Sequence, residues 1–252
     1  MNNKCLNCNQ SIDSNFYPKC GQNTATHRFS LKHFFLHDLI HGIFHLDKGF
    51  FYTIKELFTR PGHSIREYIE GKRAKHFNYV TFIILIISIG YIIGNISEIK
   101  LIDTTQYFTS DKDLLTGFDK ITKEYPKLFT MVKIPFLALF TFLLFRKNKQ
   151  NFTEHLVLNT YKVCGELIIA IAFTTIAILL RGNVALNYIF SFVGILTFCY
   201  SVWYYYQYFS AFGYSKFSLF VRSVLTSIIL FLVIAGITGF IVGMKAGFDD
   251  SK

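Results

Sequence analysis

Five stretches of the chain stay apolar long enough to cross a hydrocarbon core, which takes about 20 helical residues. They are residues 79 to 96 ("YVTFIILIISIGYIIGNI"), about 127 to 145, about 163 to 180, about 186 to 206 and about 219 to 243. Upstream the pattern changes. Leu31, Phe34, Phe35, Leu39, Ile43 and Phe44 recur at helical spacing, and residues 50 to 59 repeat the pattern, which predicts amphipathic helices lying on a membrane surface. Pro61 and Gly62 are expected to break the run, with Ser64 capping a shorter helix that ends near Gly71. The expected fold is an all-α membrane protein with about five transmembrane helices, amphipathic interfacial helices and an N-terminal zinc-knuckle-like segment. Its parts are a knuckle at 1–28, an amphipathic collar at 29–78, a five-helix transmembrane domain at 79–245 and a tail at 246–252.

Composition supports the bilayer as solvent. Of 252 residues, 52% are hydrophobic and 18% aromatic, more apolar surface than one soluble core hides. The formal charge of +10 would suit nucleic acid or an anionic membrane, but the basic residues flank the apolar runs, which points to lipid head groups and away from nucleic acid. Lys72, Arg73 and Lys75 precede the first span, and Arg146, Lys147 and Lys149 open the connector after the second. Positive residues stay on the cytoplasmic side, so the reading is an inner-membrane protein with its N-terminus inside and its C-terminus outside. Residues 1 to 30 lack an apolar run of signal-peptide length, so the first span is expected to act as its own insertion signal.

That orientation bears on the stretch "KCLNCNQSIDSNFYPKCGQ". Cys5 and Cys8 have the C-x-x-C spacing of a tetrahedral metal site, but the second pair reads Tyr17, Pro18, Lys19, Cys20 and lacks one ligand. In a reducing cytoplasm the three thiols are expected to hold Zn2+ rather than form a disulfide, with His27 supplying the fourth bond and His33 as the alternative. Tyr17 is a poor substitute, because a phenol with a pKa near 10 stays protonated. His33, His37, His41 and His45 step by four along the collar; they suit either a transition metal or the wet edge of an interfacial helix.

Within the spans, Glu166 and Arg222 are expected at the cytoplasmic ends of the third and fifth, where they could pair, and Glu154 with His155 forms a polar cytoplasmic site able to take a metal or a proton. The run "YSVWYYYQYFSAFGYSKF" reads as an aromatic belt at the interface, and Gly236, Gly239 and Gly243 as a close-packing face for a neighbouring helix or a second copy. No HExxH, GxSxG, Walker loop or glycine-rich dinucleotide turn is present. The expected function is therefore non-enzymatic: a membrane scaffold whose N-terminal region recruits a protein partner while Lys72, Arg73 and Lys75 touch anionic lipid. The alternative is a small-solute or ion transporter built on Glu166, Arg222, Glu154 and His155.

Four segments, "PKCGQ", "RPGHSIREYIEGKRAKHFNY", "NFTEHLV" and "YYYQYFSAFGYS", resemble in sequence and order an uncharacterised family of bacterial integral membrane proteins, defined as a domain of unknown function. The resemblance implies a membrane protein with a cytoplasmic zinc-ribbon-like start and brings no activity with it. In that family the knuckle commonly has a fourth cysteine where this chain has Tyr17.

Overall fold

The computed structural model describes residues 4–11, 19–23, 26, 28–30, 49–97, 126–179 and 185–229. Apart from a single antiparallel bridge, regular structure among these residues is helical: α1 (Gly49–Thr59), α2 (Pro61–Ile69), α3 (Tyr79–Ser97), α4 (Pro126–Leu144), α5 (Phe152–Leu179), α6 (Ala185–Phe209) and a last helical stretch, α7, over 216–229. Phe152–Ile178 within α5 is long and apolar enough to cross a membrane, while Tyr79–Asn95 and Thr130–Leu144 are shorter apolar helices. Of the five expected spans, one thus meets that measure among the described residues. The later part of the fifth, with Gly236, Gly239 and Gly243, lies outside them.

Pro61 does not simply end a helix. Its missing N–H costs nothing in the first turn, so it opens α2 immediately after α1 stops at Thr59. Ser64 is consequently inside α2, and its hydroxyl meets His76 Nε2 at 2.8 Å instead of capping. Asn78 begins α3 by accepting hydrogen bonds from Val80 N–H at 2.9 Å and Thr81 N–H at 3.4 Å. Asn151 and Glu154 begin α5 reciprocally: the Asn151 side chain accepts from Glu154 N–H at 2.9 Å, and the Glu154 carboxylate accepts from Asn151 N–H at 2.8 Å.

α5 is the hub, packing against α1, α2, α3, α4 and α6. Tyr204, Tyr205 and Tyr208 of α6 are buried against it, and their hydroxyls donate to Leu158 O, Asn159 Oδ1 and Gln150 Oε1. These tyrosines therefore belong to the core rather than to an interface belt: a buried phenol is tolerated when its O–H has a partner. Trp203, on the same helix, is exposed.

α2 crosses α6 at Gly62, where a Cβ would come within 2.2 Å of Tyr208 N and 2.6 Å of Tyr204 O. There Gly62 N–H donates to Gln207 Oε1, while the Arg66 guanidinium donates to Gln207 O and Tyr208 O, covering carbonyls that the end of α6 leaves without helical partners. Arg222 does the same for α4 by donating to Leu144 O.

Candidate metal centre and its docking on the helical body

Residues 4 to 11 form a tight thiol-bearing turn. Lys4 and Ser11 are bridged, Cys5 N–H donates to Gln10 O and Asn9 N–H to Cys5 O, each at 2.9 Å, and Asn7 N–H points at Cys5 Sγ at 3.4 Å. Asn9, just after Cys8, takes φ 60°, and Gly21, just after Cys20, takes φ 69°. Both half-knuckles thus turn through the left-handed region, which Gly and Asn tolerate best. The Sγ atoms of Cys5, Cys8 and Cys20 lie within 4.8 Å of one another, with Cys5 and Cys20 3.6 Å apart. Tetrahedral zinc with Zn–S bonds of about 2.3 Å would set its sulfurs about 3.8 Å apart. The three thiols, none of them in a disulfide, therefore lie close enough to bind one metal ion. Burial pushes the Cys20 thiol up, but hydrogen bonds from the Asn7 side chain and the Gln22 backbone, with those from Cys8 and Cys5, outweigh it and bring the pKa down to about 7. A thiol that ionises near neutral pH is prepared to act as a ligand. His27, His33 and Tyr17 lie outside the described residues, as do His37, His41 and His45.

The knuckle is fixed to the helical body. The buried side chain of Gln22 uses both ends of its amide on the turn after α2, donating to Gly71 O at 2.9 Å and accepting from Arg73 N–H at 3.1 Å. Leu6 lies on Gly71, where φ is 115° and a Cβ would stand 2.5 Å from the leucine Cδ1. Phe29 is buried between Tyr68 and Tyr79, with the Arg73 guanidinium 3.7 Å over its ring. Arg28 reaches the other connector: Nε and Nη2 donate to the two Glu154 oxygens at 2.6 and 2.8 Å, and Nη2 also donates to Lys149 O. The carboxylate beside Arg28 holds its guanidinium pKa above the usual value. A cavity of about 380 Å³ remains between knuckle and body, lined by Leu6, Arg28, Ile69, Glu70, Gly71, Arg73, Gln150, Glu154 and Phe212. Replacing Gln22 with leucine keeps its bulk and removes both amide bonds, so alkylation of Cys5, which is buried in the docked state, should quicken at least tenfold (on the order of 1.4 kcal/mol of lost protection). Unchanged Cys5 alkylation in timed maleimide labelling would show that Gln22 does not hold the knuckle down.

The remaining expected site residues are placed differently. Glu154 is nearly fully buried and occupied by Arg28 and its own cap. His155 is buried beside it but faces Thr141 Oγ1 at 2.9 Å and the rings of Phe142 and Phe209. The two form no open polar site, since adjacent helical residues face different ways. Glu166 does not meet Arg222. It sits midway along α5, held by Lys162 at 2.5 Å, Lys133 at 3.3 Å and Ser201 at 2.8 Å, while Arg222 is engaged by Leu144 O, Ser218 and the Tyr214 ring. Lys72 is within 3.8 Å of Glu67, Arg73 is committed to Phe29 and to Tyr68 O, and Lys75 is exposed. The Arg73 guanidinium thus braces the knuckle through Phe29 and the end of α2 through Tyr68 O. Residues that the sequence reading did not single out are Gln22, Arg28 and Asn151, which hold the knuckle, the Asn151 amide donating to Phe29 O at 2.9 Å, and Lys162, which neutralises Glu166. Asn151-x-x-Glu154 carried a readable signal as a capping box.

Residues 47–89 match the model of a family described as a protein of unknown function (DUF3667). The match covers α1, α2, the Gly71–Arg73 turn that receives Gln22, and the first half of α3. No curated protein and no solved structure matches the chain.

Proposed function

We propose that this chain is a non-enzymatic, multi-pass inner-membrane protein whose N-terminal knuckle, closed by Zn2+ on Cys5, Cys8 and Cys20, forms a rigid cytoplasmic cap that recruits a protein partner. The observation that carries the reading is the double attachment of the knuckle, through Gln22 to the turn after α2 and through Arg28 to Glu154 at the start of α5. A segment this short and polar gains order from a metal and from docking, and a docked cap presents a fixed surface to a partner. The basic turns at 72–75 and 146–149 lie at the same end of the bundle as the knuckle, being tied to it by Gln22 and Arg28. That arrangement supports a cytoplasmic knuckle end, five crossings with the C-terminus outside, and contact between Lys72, Lys75 and anionic head groups.

The test places a photo-reactive residue at Gln10, an exposed position of the knuckle outside the left-handed turn at Asn9, in the full-length protein in cells. A discrete protein adduct should form and vanish in Cys20→Ser, with membrane insertion unchanged. Purified wild type should carry close to one zinc per chain and Cys20→Ser essentially none. Zinc-loaded protein that yields no protein adduct would remove partner recruitment, and zinc-free wild type purified with its thiols reduced would remove the metal.

A further inference from the structure

α5 carries polar and charged side chains on a face that it buries. His155, Asn159, Lys162 and Glu166, spaced four, three and four apart, share one face, and that face is turned into the bundle. The first two are satisfied as a neutral set: Thr141 bonds both, and Tyr205 O–H donates to Asn159 at 2.7 Å. The last two are not. Glu166 is one carboxylate shared by two ammonium groups, Lys162 on its own helix and Lys133 on α4, with Ser201 O–H as a further donor. The cluster is therefore over-supplied with positive charge and with donors. Each ammonium has three N–H groups, and among the described residues each has one hydrogen-bond acceptor, an oxygen of Glu166. The Lys162 side chain is 5% exposed and Lys133 21%. Lys162 also lies 5.7 Å from the ring of Tyr205, whose face is electron-rich and provides no second formal charge.

Water could satisfy the spare donors, but it cannot cancel the surplus charge. In a helical interior an uncompensated ammonium is costly, and a small anion bound between the two lysines removes the charge and donor surplus together. We propose that Lys133 and Lys162 form a binding site for a small inorganic monoanion of halide size, deep in the bundle at the middle of α5. Three polar pairs between α5 and α6 lie in order between the cavity under the knuckle and this site: Gln150, which lines the cavity, accepts from Tyr208, Tyr205 bonds Asn159 one turn further on, and Ser201 bonds Glu166. Tyr208, Tyr205 and Ser201 follow one face of α6 at steps of three and four, so these polar groups line up along the helix. Glu166 then has a second role, as a built-in competitor that limits how tightly the anion binds.

The experiment uses the full-length protein in lipid nanodiscs, titrated with chloride at constant ionic strength against gluconate, with calorimetry and thermal midpoint as readouts. Chloride should bind saturably and raise the midpoint. Lys133→Gln, at the more exposed of the two lysines, should weaken chloride at least tenfold. Glu166→Gln should tighten it at least tenfold, because the local charge rises from +1 to +2 when the competitor goes. A cluster that is merely structural would lose stability in Glu166→Gln with no gain in chloride affinity. If Glu166→Gln does not fold, Lys133→Arg, which keeps the charge, must retain chloride binding that Lys133→Gln loses. No saturable chloride effect in wild type, or equal affinity in wild type and Lys133→Gln, would overturn the proposal without touching partner recruitment by the knuckle.

Discussion

Gly62→Val should yield no folded, monodisperse protein. The obstacle a side chain would meet at Gly62 is backbone, Tyr208 N at 2.2 Å and Tyr204 O at 2.6 Å, and neither can swing away as a side-chain tip can. Accommodating a Cβ means parting α2 from α6, which also breaks the Gly62 bond to Gln207 and draws Arg66 off the end of α6. Overpacking a core typically costs 1–3 kcal/mol, and the loss of two carbonyl contacts to a guanidinium adds to it, so even Gly62→Ala should lose about 3 kcal/mol. Gly194, elsewhere on α6, has nothing within 4 Å of its would-be Cβ, and alanine there favours the helix by about 1 kcal/mol. Size-exclusion profiles and melting in mild detergent separate the two. A Gly62→Ala protein as stable as Gly194→Ala would mean the crossing is looser than the distances say.

The second expected result is a loss of stability on mild acidification. Burial pushes the His76 imidazole down to about 4, against the smaller upward pull of Glu56, the Lys72 backbone and Glu67; Arg60 adds to the depression. Since its folded pKa lies below the unfolded value of about 6.5, the unfolded chain takes up the proton first. The contribution of His76 is therefore intact above about pH 6.5, is lost progressively as pH falls from there toward 4, and changes no further below it, amounting to at most about 3 kcal/mol. His63, depressed by burial and by Arg66 and Arg60, acts in the same direction. His76→Gln can still meet Ser64 and does not titrate, so its melting temperature should fall less steeply across that window. Parallel slopes for wild type and His76→Gln would assign the acid sensitivity elsewhere.

Hydropathy located helices well where every face is apolar. The expected 79–96 and 127–145 segments correspond to α3 (Tyr79–Ser97) and α4 (Pro126–Leu144), because the apolar run and the helix coincide there. It failed at α5, whose expected start near 163 is eleven residues late. The first three turns of α5 include Glu154, His155, Asn159 and Lys162, which a hydropathy window scores as connector although the helix buries them. Local cap chemistry would have corrected the boundary, and with it the depth of Glu166. The Glu166 and Arg222 pairing failed for the same reason: a wrong helix start set a wrong depth, and the nearer lysines went unweighed. The proximity of the three thiols followed from their pattern, as tetrahedral metal spacing predicts. What holds the knuckle could not be read. Gln22 meets Gly71 across 49 positions and Arg28 meets Glu154 across 126, and no local periodicity encodes contacts at such separations.

Arg66 is separated by 141 residues from the Gln207 carbonyl it covers, and Gly62 by 145 from the side chain it bonds. A ribosome therefore releases α2 long before α6 exists. Throughout that interval the buried face of α2, including Ile65, Tyr68 and Ile69, lacks the α6 part of its cover, and the turn that receives Gln22 rests on a helix not yet locked in place. Final seating of the N-terminal cap is thus a late event in biosynthesis, and a chain stopped before Gln207 presents an unfinished α2 surface to the quality-control machinery of the cell.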